Sequence, residues 1–123
     1  MIRNLHPRLV VTDAAAAIAF YGNVLGATER ERHTDDGKIV NATLSLAGTT
    51  LAVKDEGHGD PSPRTLGGTP VILTLTVDDP DALVESAVRA GATVLHPVND
   101  HAYGRGGRIQ DPWGHQWMIF ALD

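Results

Sequence analysis

Leu9-Val10-Val11-Thr12-Asp13, near the start of the chain, is answered past its middle by Leu75-Thr76-Val77-Asp78-Asp79, an offset of 66. Gly26-Ala27-Thr28 is answered by Gly91-Ala92-Thr93 at an offset of 65, so a one-residue deletion in the second helix reconciles the two matches. Self-similarity at a fixed period is the mark of a duplicated structural unit.

Each copy carries the same punctuation. The apolar run Leu9–Val11 reads as a strand, and Thr12-Asp13 offers side-chain oxygens to the free amides of a helix start. Ala14 to Leu25 places Ile18, Tyr21, Val24 and Leu25 on one helical face beside Ala17, and Gly26 stands where a helix closes. Thr28 to His33 alternates charge and reads as a solvated strand with cross-strand ion pairs. Asp35-Asp36-Gly37 is a hairpin turn. It leads into a strand over Ile39 to Ala47, and Gly48-Thr49 turns the chain into Leu51–Lys54. Glu56 to Gly68, rich in Gly, Pro, Asp and Ser, reads as a loop without period.

The pattern then restarts. Val71 to Val77 is a strand, Asp79-Pro80 opens a helix with proline in its favoured first turn, and Gly91 ends it. Ala92 to Leu95 reads as a short strand. Tyr103 to Gln110, with Gly104, Gly106 and Gly107, reads as a mobile or bulged strand, and Asp111-Pro112-Trp113-Gly114 is a tight turn before a last strand, Gln116 to Leu122. The expected architecture is α+β, with paired βαβββ modules over about 1–56 and 70–123 joined by a linker, 57–69, in one domain of 123 residues.

A unit with one helix covers one face of its sheet. On the other face stand His6, Arg8, Asn41, Thr43, Ser45, Lys54, Thr74, Thr76 and Gln116. Either the sheet curves around a partly wet cavity, or this face meets solvent, as antiparallel sheets allow. A net charge of −5 argues against nucleic acid or an anionic membrane as partner. The absence of cysteine removes disulfides, thiolate nucleophiles and Cys-ligated zinc. The N-terminus lacks the apolar run of a signal peptide, so a soluble, cytoplasmic protein is expected.

Ala17-Ile18-Ala19-Phe20-Tyr21 with Val24-Leu25-Gly26-Ala27 resembles the first-helix signature of the vicinal oxygen chelate superfamily, which includes glyoxalases, bleomycin-resistance proteins and dioxygenases. Ser62 to Gly68, Gly91 to Val94 and Gly107 to Trp117 resemble its PhnB-like branch. The resemblance implies paired βαβββ modules, a U-shaped sheet around a ligand cavity, and a homodimer. Family enzymes hold a divalent metal with four His or Glu side chains. Carried over, those positions fall on His6, on about Ala52 with Lys54 on the same face, on Ile72 and on Met118. Only His6 has a suitable donor, so no metal, no cofactor and no catalytic residue is assigned, and metal-dependent glyoxalase, dioxygenase and fosfomycin-transferase activities are set aside. The branch's Asp-Arg pair is missing after Tyr103-Gly104, and Asn41 stands where a His is common.

The expected ligand-binding residues are His6, Arg8, Asn41, Thr43, Lys54, Thr74, Tyr103, Arg105, Trp113 and Met118. His6 is a hydrogen-bonding group or base. Arg8 and Lys54 suit an anionic or oxygen-rich ligand, and Tyr103 and Trp113 suit stacking on a planar one. Met118 offers an adaptable apolar wall. Arg105 and Arg108, among glycines, form a flexible lid. Each has a bland alternative in surface charge or turn packing. The five remaining histidines, His96 and His101 among them, carry no specific chemistry. The leading function is metal-independent binding of a small molecule, as in bleomycin-resistance proteins that sequester a drug. A metal-free lyase, isomerase or epimerase using His6 or Tyr103, and a scaffold with a filled cavity, are the alternatives.

Overall fold

The computed structural model describes residues 1–122. It separates into two units, Met1–Leu66 and a second from Gly67 onward. Together they make an α+β protein of two four-stranded mixed sheets. No helix among the described residues is long and apolar enough to cross a membrane.

The first unit runs β1 (Arg8–Val11), α1 (Ala14–Leu25), β2 (Thr28–Asp35), β3 (Lys38–Leu46), β4 (Thr49–Asp55) and the helical turn α2 (Pro63–Leu66). Asp13 caps α1, its carboxylate accepting from the Ala16 amide at 3.1 Å, and Gly26 ends it at φ 77°. Asp55, at the end of β4, accepts from the Ala14 amide at 2.8 Å and the Ile39 amide at 2.7 Å. One carboxylate thus fastens the helix start to the sheet. Ala14, Ala17, Ile18, Phe20 and Tyr21 form the buried face of α1. Val24 and Leu25 are only half-buried. The Asp36-Gly37 and Ala47-Gly48 turns both hold two consecutive positive φ angles, the requirement of a tight hairpin with right-handed twist.

The second unit runs β5 (Ile72–Val77), α3 (Pro80–Arg89), β6 (Thr93–His101), β7 (Gly104–Gln110) and β8 (Gln116–Ala121). Asp79 caps α3 as Asp13 caps α1, accepting from the Ala82 amide at 3.1 Å. The helix closes on Ala90, one residue before the expected Gly91, which takes φ 110° just beyond.

Strand order repeats too: β1-β4-β3-β2 and β5-β8-β7-β6, with first and last strands parallel. Arg8 pairs with Ala52 as Thr74 pairs with Met118. Thr43 pairs with Ala52 as Arg108 pairs with Met118. Thr28 pairs with Ser45 as Thr93 pairs with Gln110. The duplication seen in sequence is therefore a duplication of hydrogen-bond register.

Several expectations change. The charges of β2 pair along the strand, Arg32 with Glu29 at 2.6 Å, because the residues opposite are Asn41, Ala42 and Thr43 and carry no charge. The strand expected over Ala92–Leu95 continues to His101, and the glycine-rich stretch is an ordered strand, β7, between β6 and β8. Its glycines answer close packing. A Cβ on Gly106 would lie 2.7 Å from the Ile119 carbonyl oxygen, and one on Gly107 would lie 2.8 Å from the His96 oxygen and 2.9 Å from the Val98 nitrogen. The loop after β4 is organised rather than shapeless. Buried Lys54 donates to Asp60 at 2.6 Å and to the Gly57 carbonyl at 3.0 Å. Glu56 accepts from the Ser62 amide at 2.6 Å, and Ser62 caps the turn α2.

Two outcomes test this packing. Gly107→Ala forces backbone apart and should cost about 1–3 kcal/mol in urea unfolding. A loss within about 0.5 kcal/mol, the size of an ordinary surface change, would show that the contact yields freely. Asp60 is held below its ordinary carboxylate range, first by the Lys54 hydrogen bond, then by the charges of Lys54, Arg8 and His58. A carboxylate with a depressed folded pKa stabilises above its unfolded value of about 3.9 and loses that stabilisation as pH falls through the folded value. Asp60→Asn should therefore be less stable than wild type at pH 7, with the gap narrowing below about pH 4. A gap that stays constant into acid would remove the ion pair as its cause.

Candidate ligand pocket

In the second unit the helix-facing residues Ile109, Trp117 and Ile119 are buried with Val84 and Ala87 of α3. Alternation along a strand sends Thr74, Met118 and Arg108 to the opposite face, and register puts His96 next to Arg108 in the same row. β6 bulges on both sides of this row. Val94 pairs with Ile109 and His96 with Arg108, two steps on β6 against one on β7; Asn99 then pairs with Gly106, three steps against two. The second bulge holds Pro97, which has no amide to give to a ladder. Its backbone passes over Gly107, where no side chain fits.

The first shift brings His96 onto the face of Arg108, and the second restores the alternation that began at Thr93. His101 falls on the same face as Arg108, and Asp100 falls on the helix face. There Asp100 meets Arg105, which donates to it at 3.0 Å and holds Asp81 of α3 by two bonds, at 2.8 and 3.0 Å. Arg105 in turn lowers the Asp81 pKa, chiefly by hydrogen bonding. The expected lid arginine thus ties a strand to a helix.

His96, His101, Tyr103, Gly107, Arg108 and Met118 line a hollow of about 270 Å³. The His101 and Tyr103 rings stack at 5.0 Å between centroids with 4° between planes, and Phe120 stands 5.8 Å from Tyr103. The Arg108 Nε is buried and has no hydrogen-bond partner among the described residues. Of the sequence-selected residues, Tyr103 and Met118 meet here, and Thr74 stands exposed beside Met118 in the same row. Arg108 enters from the strand rather than from a lid. His96 and His101 were not expected. Pro97 inside a strand was the signal of a bulge, and the 65-residue offset that pairs Thr43 with Arg108 marked the row.

In the first unit the equivalent face holds Arg8, Ala52 and Thr43 in one row and Lys54 in the next, followed by Asn41 two residues before Thr43 on β3. The Asn41 Oδ1 is buried without a partner. Lys54 is committed to Asp60 and Gly57. Another hollow, of about 290 Å³, is lined by Asp35, Asp36, Lys38, Gly57 and His58. It sits among turn residues, and the Lys38 ammonium is engaged by the Glu56 carbonyl at 3.0 Å. It brings no sheet-face side chain together, so the hollow around Arg108 is the better site.

Two selected residues stand apart. His6 lies ahead of β1, exposed, its ring bonded to Asn4. The offset of 66 that matches Arg8 to Thr74 makes Ile72 its counterpart, but the β1 ladder starts only at Arg8, after Pro7, whereas Ile72 opens β5. Trp113 belongs to the turn organised by buried Asp111, which accepts from the Trp113 and His115 amides and from the Trp117 indole, each at 3.0 Å. The positions carried over for a metal hold His6, Ala52, Ile72 and Met118. Two of these have no donor atom, and His6 is turned to Asn4. No three His, Asp or Glu side chains converge among the described residues. This donor set does not fit a divalent cation.

Comparison with known proteins agrees with the duplicated fold. The family model of the Glyoxalase/Bleomycin resistance protein/Dioxygenase superfamily matches residues 3–119. The uncharacterized protein Mb0911c of Mycobacterium bovis is 43% identical over 122 residues, covering 94% of this chain and 80% of its own. Among solved structures, TioX from Micromonospora sp. ML1 superposes with TM-score 0.74 at 24% identity, over 97% of this chain and 98% of that one. FosX, a genomically encoded fosfomycin resistance protein of Listeria monocytogenes solved with Mn(II) and sulfate, superposes with TM-score 0.75 at 19% identity, over 100% and 93%. Identities this low establish a shared fold alone. With the family model spanning nearly the whole chain and the same unit folded twice, the protein belongs to the glyoxalase/bleomycin resistance/dioxygenase superfamily.

Proposed function

We propose that this chain binds and sequesters a small hydrophobic or planar molecule without a metal, in the manner of the PhnB-like and bleomycin-resistance members of its superfamily. The observation that carries the proposal is the hollow of the second unit, where stacked rings and Met118 line the same space as Arg108, whose Nε has no hydrogen-bond partner among the described residues. Apolar walls with a few placed polar groups are the ordinary composition of a ligand site. At about 270 Å³ the hollow lies just below the usual range of about 300–1,000 Å³, which favours a molecule of one or two rings over a large drug. The Mn(II) that accompanies FosX is not carried over, because the ligand positions here include Ala52 and Ile72. A homodimer is part of the same proposal, resting on membership of the superfamily.

A thermal-shift screen of one- and two-ring compounds, neutral and charged, with and without EDTA, tests it. A ligand present at 100 times its Kd should add about 2.7 kcal/mol of stability, and the rise in Tm should survive EDTA. A panel that leaves Tm unmoved, or a shift abolished by EDTA, would sink the proposal. Light scattering should return twice the chain mass, and a monomer mass would remove the dimer.

A further inference from the structure

We infer that the pocket of the second unit is selective for a planar aromatic carboxylate, with Arg108 as its charge anchor and the His101–Tyr103 stack as its wall. This rests on the small-molecule binding proposed above and narrows it to one ligand class.

The first support is the distribution of charge. The chain carries 15 acidic residues against 10 basic ones, yet none of the six residues lining the hollow is acidic. Asp100 pairs with Arg105 on the helix side, where Arg105 takes it together with Asp81. Arg32 likewise has its acid, Glu29. Arg108 has no acidic partner among the described residues.

The second support is the state of the guanidinium. Its Nε is buried and unpaired. An arginine never gives up its proton, so this donor cannot become neutral to escape the penalty of burial. Arg108 lines the hollow, and a carboxylate there accepts from two guanidinium N–H groups at once, in the planar fork that guanidinium geometry matches. A neutral hydroxyl satisfies one donor and leaves the charge uncompensated.

The third support is shape. The His101 and Tyr103 rings are stacked in parallel and both line the hollow, so a flat aromatic pair shares that space with the cation. Met118, paired in register with Arg108, gives the hollow an adaptable apolar side. A flat ring bearing one carboxylate uses all three features.

Isothermal titration of the full chain with 2-naphthoate and with uncharged 2-naphthylmethanol tests the inference. The acid should bind at least about tenfold more tightly than the alcohol, the usual scale of a charge-assisted hydrogen bond. Arg108→Gln should erase that preference, and Arg108→Lys should keep part of it. Tyr103→Ala should weaken both ligands and keep their ratio. Equal binding of acid and alcohol by wild type overturns the inference and leaves small-molecule binding standing. So does binding of neither probe when another compound of the thermal-shift panel binds. Silence from both probes and from the panel overturns the inference and the proposed function together. Should Arg108→Gln fail to fold, the wild-type ratio and the Arg108→Lys variant still decide.

Discussion

The chemistry of the second sheet depends on two register shifts in β6, one on either side of His96, the second of which carries the Pro97–Val98 backbone over Gly107. A strand gives each side chain one of two faces, so one inserted residue turns the next stretch over and a second turns it back. Here the pair brings His96 onto the polar face beside Arg108 and still leaves His101 there, while Asp100 and Arg105 meet on the helix side as an ion-paired anchor for α3. Site and scaffold are two results of one strand's irregularity.

The duplicated units show how far chemistry diverges on a fixed register. Ala52 in the first sheet corresponds to Met118 in the second, Thr43 to Arg108, and Lys54 to Phe120. In the first unit one cation of this face, Lys54, holds the loop at Gly57 and Asp60. In the second the cation stays uncommitted next to an aromatic cluster. The hydrogen-bond frame tolerates either arrangement because the helix-facing residues, Leu44 and Val53 in one unit and Ile109 and Ile119 in the other, supply the core.

Most of the fold was legible because its signals are local. Asp13 and Asp79 cap helices, Gly26 takes the left-handed conformation, and Asp36-Gly37 makes its turn, each decided by residues within one turn of chain. The site was legible only in part. Tyr103 and Met118 were found by alternation and family position, but His96 and His101 sit beside a bulge that simple counting cannot pass. The glycines of β7 misled for a related reason: freedom of the backbone and closeness of a neighbour call for the same residue, and only the position of Ile119 and Pro97 across the sheet tells them apart. Lys54 was expected to face a ligand, and its partner six residues on in an apparently shapeless loop was invisible to periodicity. His6 was placed by offset alone, and Pro7 interrupted the strand that would have carried it.

The strand order has a further consequence, for the way the chain is made. In each sheet the last strand in sequence, β4 or β8, lies between the first and the third. A growing chain therefore displays β5 and the β6–β7 hairpin with the middle of their sheet vacant, and Gln116–Ala121 must slot between them as the final piece. Assembly of this kind pairs residues far apart in sequence and is correspondingly slow. Until the last strand arrives, two unsatisfied strand edges face each other across a gap, which makes the half-built unit the species most exposed to association with other chains.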